Sequence, residues 1–363
     1  MIKDKTILSW YEDFHTIPEI AWKEHKTTDK IASILDELEV SYTRFSDMTG
    51  LIAEIGKGEE VIAVRADIDA LWQEVDGEWQ GNHSCGHDAN ISMVLGTILY
   101  LKNQTLKKKI RFVFQPAEEK GEGALRMMDK GALDDVTHLF GVHLRPIEEL
   151  PIGKVSASIQ HGAHVTLEGK VSGDDAHAAR PHQGKNAIDV IMALHQSLKS
   201  IYLSPSESYS VKLTKVFAGS ESTNIIPGTA EFAIDVRAQK NGVLKEIKAK
   251  VEKIIGHLEN FHDVDIQWEW SGLTPAAEIA KEAEKIAEEA IISVVGKDAL
   301  APMVVTPGGD DFHFYTVNHP NLKATMIGIG ADLKPGLHHP NMHFNKSVLE
   351  IGSQILAETL KKA

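Results

Sequence analysis

A single cysteine, Cys85, stands among 363 residues. It has no partner for an intramolecular disulfide, and it fits a reducing compartment. No apolar run approaches the ~18 residues of a membrane helix. The opening MIKDKTILSWYEDF carries an apolar stretch too short and too interrupted for a signal peptide. The expectation is a cytoplasmic protein without a membrane partner. Basic residues are in deficit, 38 Lys and Arg against 52 Asp and Glu, for a formal net charge of −14. That argues against the basic stripe needed to follow a phosphate backbone, so no nucleic-acid partner is expected. A small anionic substrate stays open, because one local arginine can dominate a pocket. Repeats and low-complexity tracts are also missing. What is present is ordinary: 42% hydrophobic and 25% charged residues, ample for a core and unlike a disordered chain. At ~150 residues per domain the length predicts two domains, one inserted in the other.

The apolar pattern gives the order of elements. Ile31, Ile34, Leu35 and Leu38 fall at helical spacing. Short β-type runs follow, LIAEIG (51–56) and VIAVRAD (61–67), then a helical stretch (91–104), the strand KIRFVFQ (109–115) and the strand HLFGVHL (138–144). This alternation predicts an α/β layer with a mostly parallel sheet, whose active residues gather at the carboxyl ends of strands. The rhythm changes near 162. Strand 164–173, helix 186–201, strands 209–218 and 229–238, helix 241–258 and strand 263–270 give the order β-α-β-β-α-β, which predicts a small ferredoxin-like α+β domain. Thr274 and Pro275 then read as N-cap and first residue of a helix, with Ile279, Ala283, Ile286 and Ala290 as its stripe. A last helix starts near Asn345. The expected division is a catalytic domain of 1–161 and 272–363 carrying an inserted domain of 162–271.

Four segments of the α/β part carry chemistry. In His83-Ser84-Cys85-Gly86-His87-Asp88, a thiolate and an imidazole stand at C-x-H spacing, good ligands for Zn, Mn, Co or Ni. Asp88 is placed to orient a ligand. The other reading is a buried structural cysteine beside loop histidines. Gln115-Pro116-Ala117-Glu118-Glu119 ends a strand, where one carboxylate can hold an ion while its neighbour takes a proton; the alternative is a solvated acidic turn. Gly141-Val142-His143 puts a histidine at a strand end, as ligand or as rim residue. Gly336-Leu337-His338-His339-Pro340 opens a His-rich loop, either a ligand loop or a solvated turn. All four fall at strand ends or loops of the α/β part, which favours one shared site. Within the insertion, His177 follows a strand, Asn224 opens Asn-Ile-Ile-Pro, and Arg237 offers a planar fork suited to a carboxylate or to a surface salt bridge.

Together these motifs resemble the two-metal aminoacylase/carboxypeptidase family of metallopeptidases. Within it they resemble the amidohydrolase branch that includes hippurate hydrolase and indoleacetyl-amino-acid hydrolase. The matching features run from H-x-x-P-E (His15–Glu19) and R-A-D-I-D-A-L (Arg65–Leu71) through H-x-C-G-H-D (His83–Asp88), F-Q-P-A-E-E (Phe114–Glu119) and G-V-H (Gly141–His143). They continue through G-x-x-x-H-A-A-R-P-H (Gly173–His182), N-I-I-P (Asn224–Pro227) and G-G-D-D-F (Gly308–Phe312) to L-H-x-P (Leu337–Pro340). The run Arg180–Asp189 is similar to the bacterial subset labelled AmhX-like.

The resemblance implies a hydrolase of N-acyl amino acids or small peptides that binds two divalent metal ions (Mn, Zn, Co or Ni). Cys85 would bridge the ions, Glu119 and His338 completing one and His87 and His143 the other. Glu118 would be the general base and then the acid. His177 would stabilise the tetrahedral oxyanion, supplied in trans by the partner subunit. Asn224 and Arg237 would help hold the substrate's carboxylate. The insertion would be both lid and dimerisation surface, making the protein a homodimer. Three positions depart from the branch's pattern: Asn90 stands in place of a histidine, Trp72 of a proline and Asp310 of a glutamate. Two other readings are a thiol amidase with Cys85 as nucleophile and His87 as base, and a catalytically inactive binding protein of the same fold. Loss of Glu118 or of a ligand would support the second; neither is lost.

Overall fold

A strand with almost no polar position has no face to give to water, so VIAVRAD is stable only in the middle of a covered sheet. The computed structural model, which describes residues 2–363 with side chains from Thr6 onward, puts it there. Val61–Asp67 is buried throughout. It pairs in parallel with Lys109–Gln115 on one side and Val136–Pro146 on the other. Lys323–Leu333 joins Val136–Pro146, again in parallel. These four form the centre of an eight-stranded sheet. Leu51–Ile55 and Ser41–Arg44 extend it through antiparallel pairs at one side; at the other, Val155–Ser156 pairs antiparallel with Lys323–Leu333 and Leu300–Ala301 pairs in parallel with Val155–Ser156.

Alternate residues of these strands feed two apolar clusters. Ile62, Val64 and Ala66 face helices Ile2–His15, His87–Leu101, Lys281–Val295 and Val348–Lys362. Ala63, Val113 and Leu139 face helices Gly123–Asp129 and His313–Asn318. The α/β class with a mostly parallel sheet is therefore as the sequence predicts.

The chain divides into two compact units. The second unit, His161–Ala277 with Thr306–Gly309, has a four-stranded antiparallel sheet. Ala163–Ser172 pairs with both Thr229–Ala238 and Asp265–Thr274, and Tyr209–Ala218 adds to the far side of Thr229–Ala238. Helices Ala187–Lys199 and Asn241–His262 share its core. Asn186 caps the first of them, its Oδ1 accepting from Ile188 N at 3.1 Å.

The unit is longer than 162–271 because its last strand does not stop there. Thr274 pairs with His164, and Ala277 N donates to His161 O. Residues 306–309 join through Gly162 N, which donates to Gly308 O. This also corrects the helix start. Thr274 is a ladder residue, not an N-cap, and the helix begins at Lys281. Pro275 has no N–H and could end a strand as readily as begin a helix; the hydrogen-bonded ladder decided between them.

Candidate metal centre

The carboxyl end of the parallel sheet collects the four motifs. His143 comes from Val136–Pro146 itself. Gln115 ends its strand and Ala117, at φ 54°, turns the chain so that Glu118 and Glu119 follow in a single tight turn. Gly86, at φ 83°, lets the loop carrying Cys85 swing directly into the helix that starts with His87. His338 sits on a loop residue at φ 63°.

These loops bring the five candidate ligands together in two groups that share the thiol. Cys85, His87 and His143 place one ligand atom each within 4.8 Å of one another, and so do Cys85, Glu119 and His338. Cys85 Sγ is 3.6 Å from His143 Nε2. His338 Nε2 is 3.4 Å from Glu119 Oε1. Glu118 lies against the same cluster, its Oε2 3.9 Å from His87 Nε2.

The groups fit a metal on three counts. First, ring orientation is fixed from behind. His87 Nδ1 donates to Asp69 O at 2.9 Å and His143 Nδ1 to Leu144 O at 2.8 Å, which leaves each Nε2 lone pair for the cluster. Second, His87 Nε2 and Glu119 Oε1 are buried and have no hydrogen-bond partner, a costly state that an ion would relieve. Third, the field favours positive charge. Burial pulls the His87 imidazole down, but Asp67 and Cys85 outweigh it and hold it well above its ordinary range. Burial and Glu119 push the Cys85 thiol up, yet His87 and the bonds to His143 and His338 bring it down to about 6. A site that holds protons on its imidazoles and removes one from its thiol suits a cation that displaces those protons. Thiolate, imidazole and carboxylate donors fit Zn, Mn, Co or Ni.

Glu118 also offers an oxygen within 4.8 Å of His87 and Glu119. Burial, then the charges of Asp310, Glu119 and Asp311, hold its carboxyl well above the usual range. A carboxyl shifted in that direction holds a proton more readily than an ordinary glutamate, as a proton carrier must.

Behind the cluster lies a polar layer to which sequence reasoning gave no roles. Arg65, 1% exposed, reaches Asp67 at 2.5 Å, Asp311 at 2.8 Å and Asp310 at 3.3 Å, and donates through Nε to Gln115 at 2.9 Å. Asp69 accepts from Glu119 N at 3.0 Å. Glu24, fully buried, accepts from Ala117 N at 2.8 Å and from Thr49 at 2.6 Å, pinning the turn before Glu118. An arginine and two aspartates inside an otherwise apolar run, R-A-D-I-D, were the available signal. Asn90 donates to Asp67 at 2.7 Å, so that departure lies one residue behind the ligands. Trp72 is 56% exposed on the hairpin Leu71–Val75 and Glu78–Asn82.

The three candidates of the inserted unit are arranged as follows. His177 pairs with Ile225, and Ala178 N donates to Asn224 O, so His177 and Asn224 share one small ladder. His177 Nδ1 accepts from Ala179 N at 3.0 Å, which puts the ring proton on Nε2. Arg237 stands on the strand Thr229–Ala238 and its guanidinium is occupied by Asp235 at 3.1 and 3.3 Å. Asp235 also accepts from His164 at 2.9 Å.

The chain is similar to proteins already known. The N-acetylcysteine deacetylase of Bacillus subtilis (strain 168) is 30% identical over 378 residues, spanning 97% of this chain and 95% of that protein. The IAA-amino acid hydrolase ILR1-like 4 of Arabidopsis thaliana is 28% identical over 368 residues, spanning 94% and 82%. The crystal structure of the YXEP protein of Bacillus subtilis, described as a dinuclear metal-binding peptidase, superposes with a TM-score of 0.84 at 26% identity, covering 99% of this chain and 97% of that one. Residues 63–362 match Peptidase family M20/M25/M40. This chain therefore belongs to Peptidase family M20/M25/M40, and it is a metal-binding hydrolase of amide bonds.

Proposed function

We propose that this enzyme hydrolyses the amide bond of N-acyl amino acids or small peptides with a free carboxylate, using two divalent cations per subunit. The observation that carries the reading is the pair of ligand groups meeting at Cys85. Cys85 would bridge, with Glu119 and His338 on one ion and His87 and His143 on the other. Bound there, Mn, Zn, Co or Ni would polarise the scissile carbonyl and make water in the site more acidic. Glu118 takes the proton from the attacking water and returns it to the leaving nitrogen. His177 donates from Nε2 to the developing oxyanion. Asn224 and Arg237 hold the substrate's carboxylate, Arg237 exchanging Asp235 for it. The names of the two relatives above, a deacetylase of an N-acetyl amino acid and a hydrolase of acyl–amino acid conjugates, support this substrate class. The one thiol fits work in a reducing compartment, the cytoplasm. Among the described residues no helix is long and apolar enough to cross a membrane.

The test is an activity screen over N-acyl amino acids with Mn, Zn, Co and Ni added back to stripped protein. Activity should vanish on stripping and return with metal. Turnover that survives chelation would instead assign the reaction to Cys85 as a nucleophile. A second expectation concerns assembly. We take the inserted domain to form a homodimer that supplies His177 in trans. Mixing inactive His177→Ala with inactive Glu118→Ala protomers should then restore partial activity. No recovery after verified subunit exchange would place His177 on its own subunit's substrate.

A further inference from the structure

His338 differs from the other candidate ligands in how it is held. His87 is fixed at the start of a long helix and His143 within a central strand, both buried. His338 stands on a loop, its side chain 53% exposed, at a φ of 63° that a non-glycine residue adopts only at a cost. Something outside the loop must hold it there.

Two bonds do so, and they converge on one residue. His338 N donates to Ser84 O at 2.8 Å. His338 O accepts from Gln73 Nε2 at 2.7 Å. The other end of the same amide, Gln73 Oε1, accepts from Ser84 Oγ at 2.7 Å and from Asn82 Nδ2 at 3.2 Å. One side-chain amide thus clamps the backbone of His338 to the residue next to Cys85. Asn82 reaches past it to Pro340 O at 2.9 Å. Gln73 belongs to neither ligand group; it stands on the hairpin Leu71–Val75 and Glu78–Asn82.

We propose that Gln73 is a positioning residue for the Cys85–Glu119–His338 ion. It selects the left-handed backbone at His338 that brings the imidazole to 3.4 Å from Glu119. The inference rests on the two-ion reading above. The other ion, on Cys85, His87 and His143, would draw its two imidazoles from the helix His87–Leu101 and the strand Val136–Pro146, whereas the bonds of Gln73 run to His338, Ser84 and Asn82.

The experiment counts ions. Stripped wild type, Gln73→Met, Gln73→Glu and Gln80→Ala are titrated with Co(II). Bound metal is measured by elemental analysis and the thiolate–cobalt absorption is followed. Gln73→Glu keeps an acceptor for Ser84 and Asn82 but sets a carboxylate oxygen against His338 O. Gln80, paired across the hairpin from Gln73 and exposed, controls for damage to the hairpin itself.

The expected result is two ions in wild type and in Gln80→Ala. Both Gln73 variants should bind one ion as in wild type and the other about 10–100-fold more weakly. The thiolate–cobalt band should persist and the melting temperature of the stripped proteins should stay unchanged. In a His338→Ala background, Gln73→Met should cost the remaining ion nothing. Two ions bound by both Gln73 variants with wild-type affinity would overturn the proposal. So would equal weakening of both ions, which would mean that Gln73 acts on Cys85 through Ser84. A wild type that binds no second ion would overturn the two-ion reading itself, a result distinct from either.

Discussion

Glu118→Gln is expected to retain both ions and to lower turnover by about 10²–10⁴-fold, the range lost when a positioned acid–base group is removed. Glutamine keeps the shape of the side chain and an oxygen that can accept from Asp311 N, which stands 3.4 Å from Glu118 Oε1. It loses the capacity to take up a proton. The five candidate ligands are untouched, so metal content by elemental analysis should match wild type. The neighbouring substitution separates the roles. Glu119→Gln removes a carboxylate from the Cys85–Glu119–His338 group and should lose an ion along with activity. Pre-steady-state turnover under saturating substrate is the measurement. Wild-type turnover in metal-replete Glu118→Gln would take Glu118 out of the mechanism.

The split proposed for these adjacent glutamates shows what the sequence offered. Their types, their place after a strand, and the resemblance of Gln115–Glu119 to a known motif all pointed to one ligand and one proton carrier. The sequence also placed three of the four central parallel strands to within two residues, because buried strands leave long apolar runs that survive without any knowledge of partners; the fourth, Lys323–Leu333, was not read. It did worse where a tertiary bond decided the outcome. Thr274 and Pro275 have helix-start chemistry, yet pairing with His164 made Thr274 the end of a strand. Gln73 and Glu24 gave no signal, since a glutamine on an exposed hairpin and a glutamate in a polar segment are unremarkable until the chain folds. Their meaning comes from contacts 265 and 93 positions away in sequence. Arg237 stayed open between a substrate contact and a salt bridge, and it now pairs with Asp235.

Arg65→Met is expected to destabilise the fold by about 3–5 kcal/mol, the cost of removing one partner from a buried ionic network. The arginine is 1% exposed and faces three aspartates at 2.5, 2.8 and 3.3 Å. Methionine fills much of the volume but leaves those carboxylates in a low-dielectric pocket without that counter-charge. The sign with pH follows. Burial drives Asp67 up, but His87 and Arg65 outweigh it and hold its carboxyl below the usual range. Burial raises Asp311 to about 7 even though Arg65 opposes it. Without the guanidinium both shift upward, so the folded variant binds more protons than its unfolded chain. Its stability then falls as pH rises above the ordinary aspartate value of about 3.9. The deficit against wild type should be smallest near pH 4 to 5 and should grow toward pH 8, read from urea midpoints of metal-free protein. Adding Asp311→Asn to Arg65→Met removes one of the uncompensated charges and should recover part of the loss at pH 8. A deficit that is the same at both ends of that range, and indifferent to Asp311→Asn, would mean that Arg65 contributes packing rather than charge.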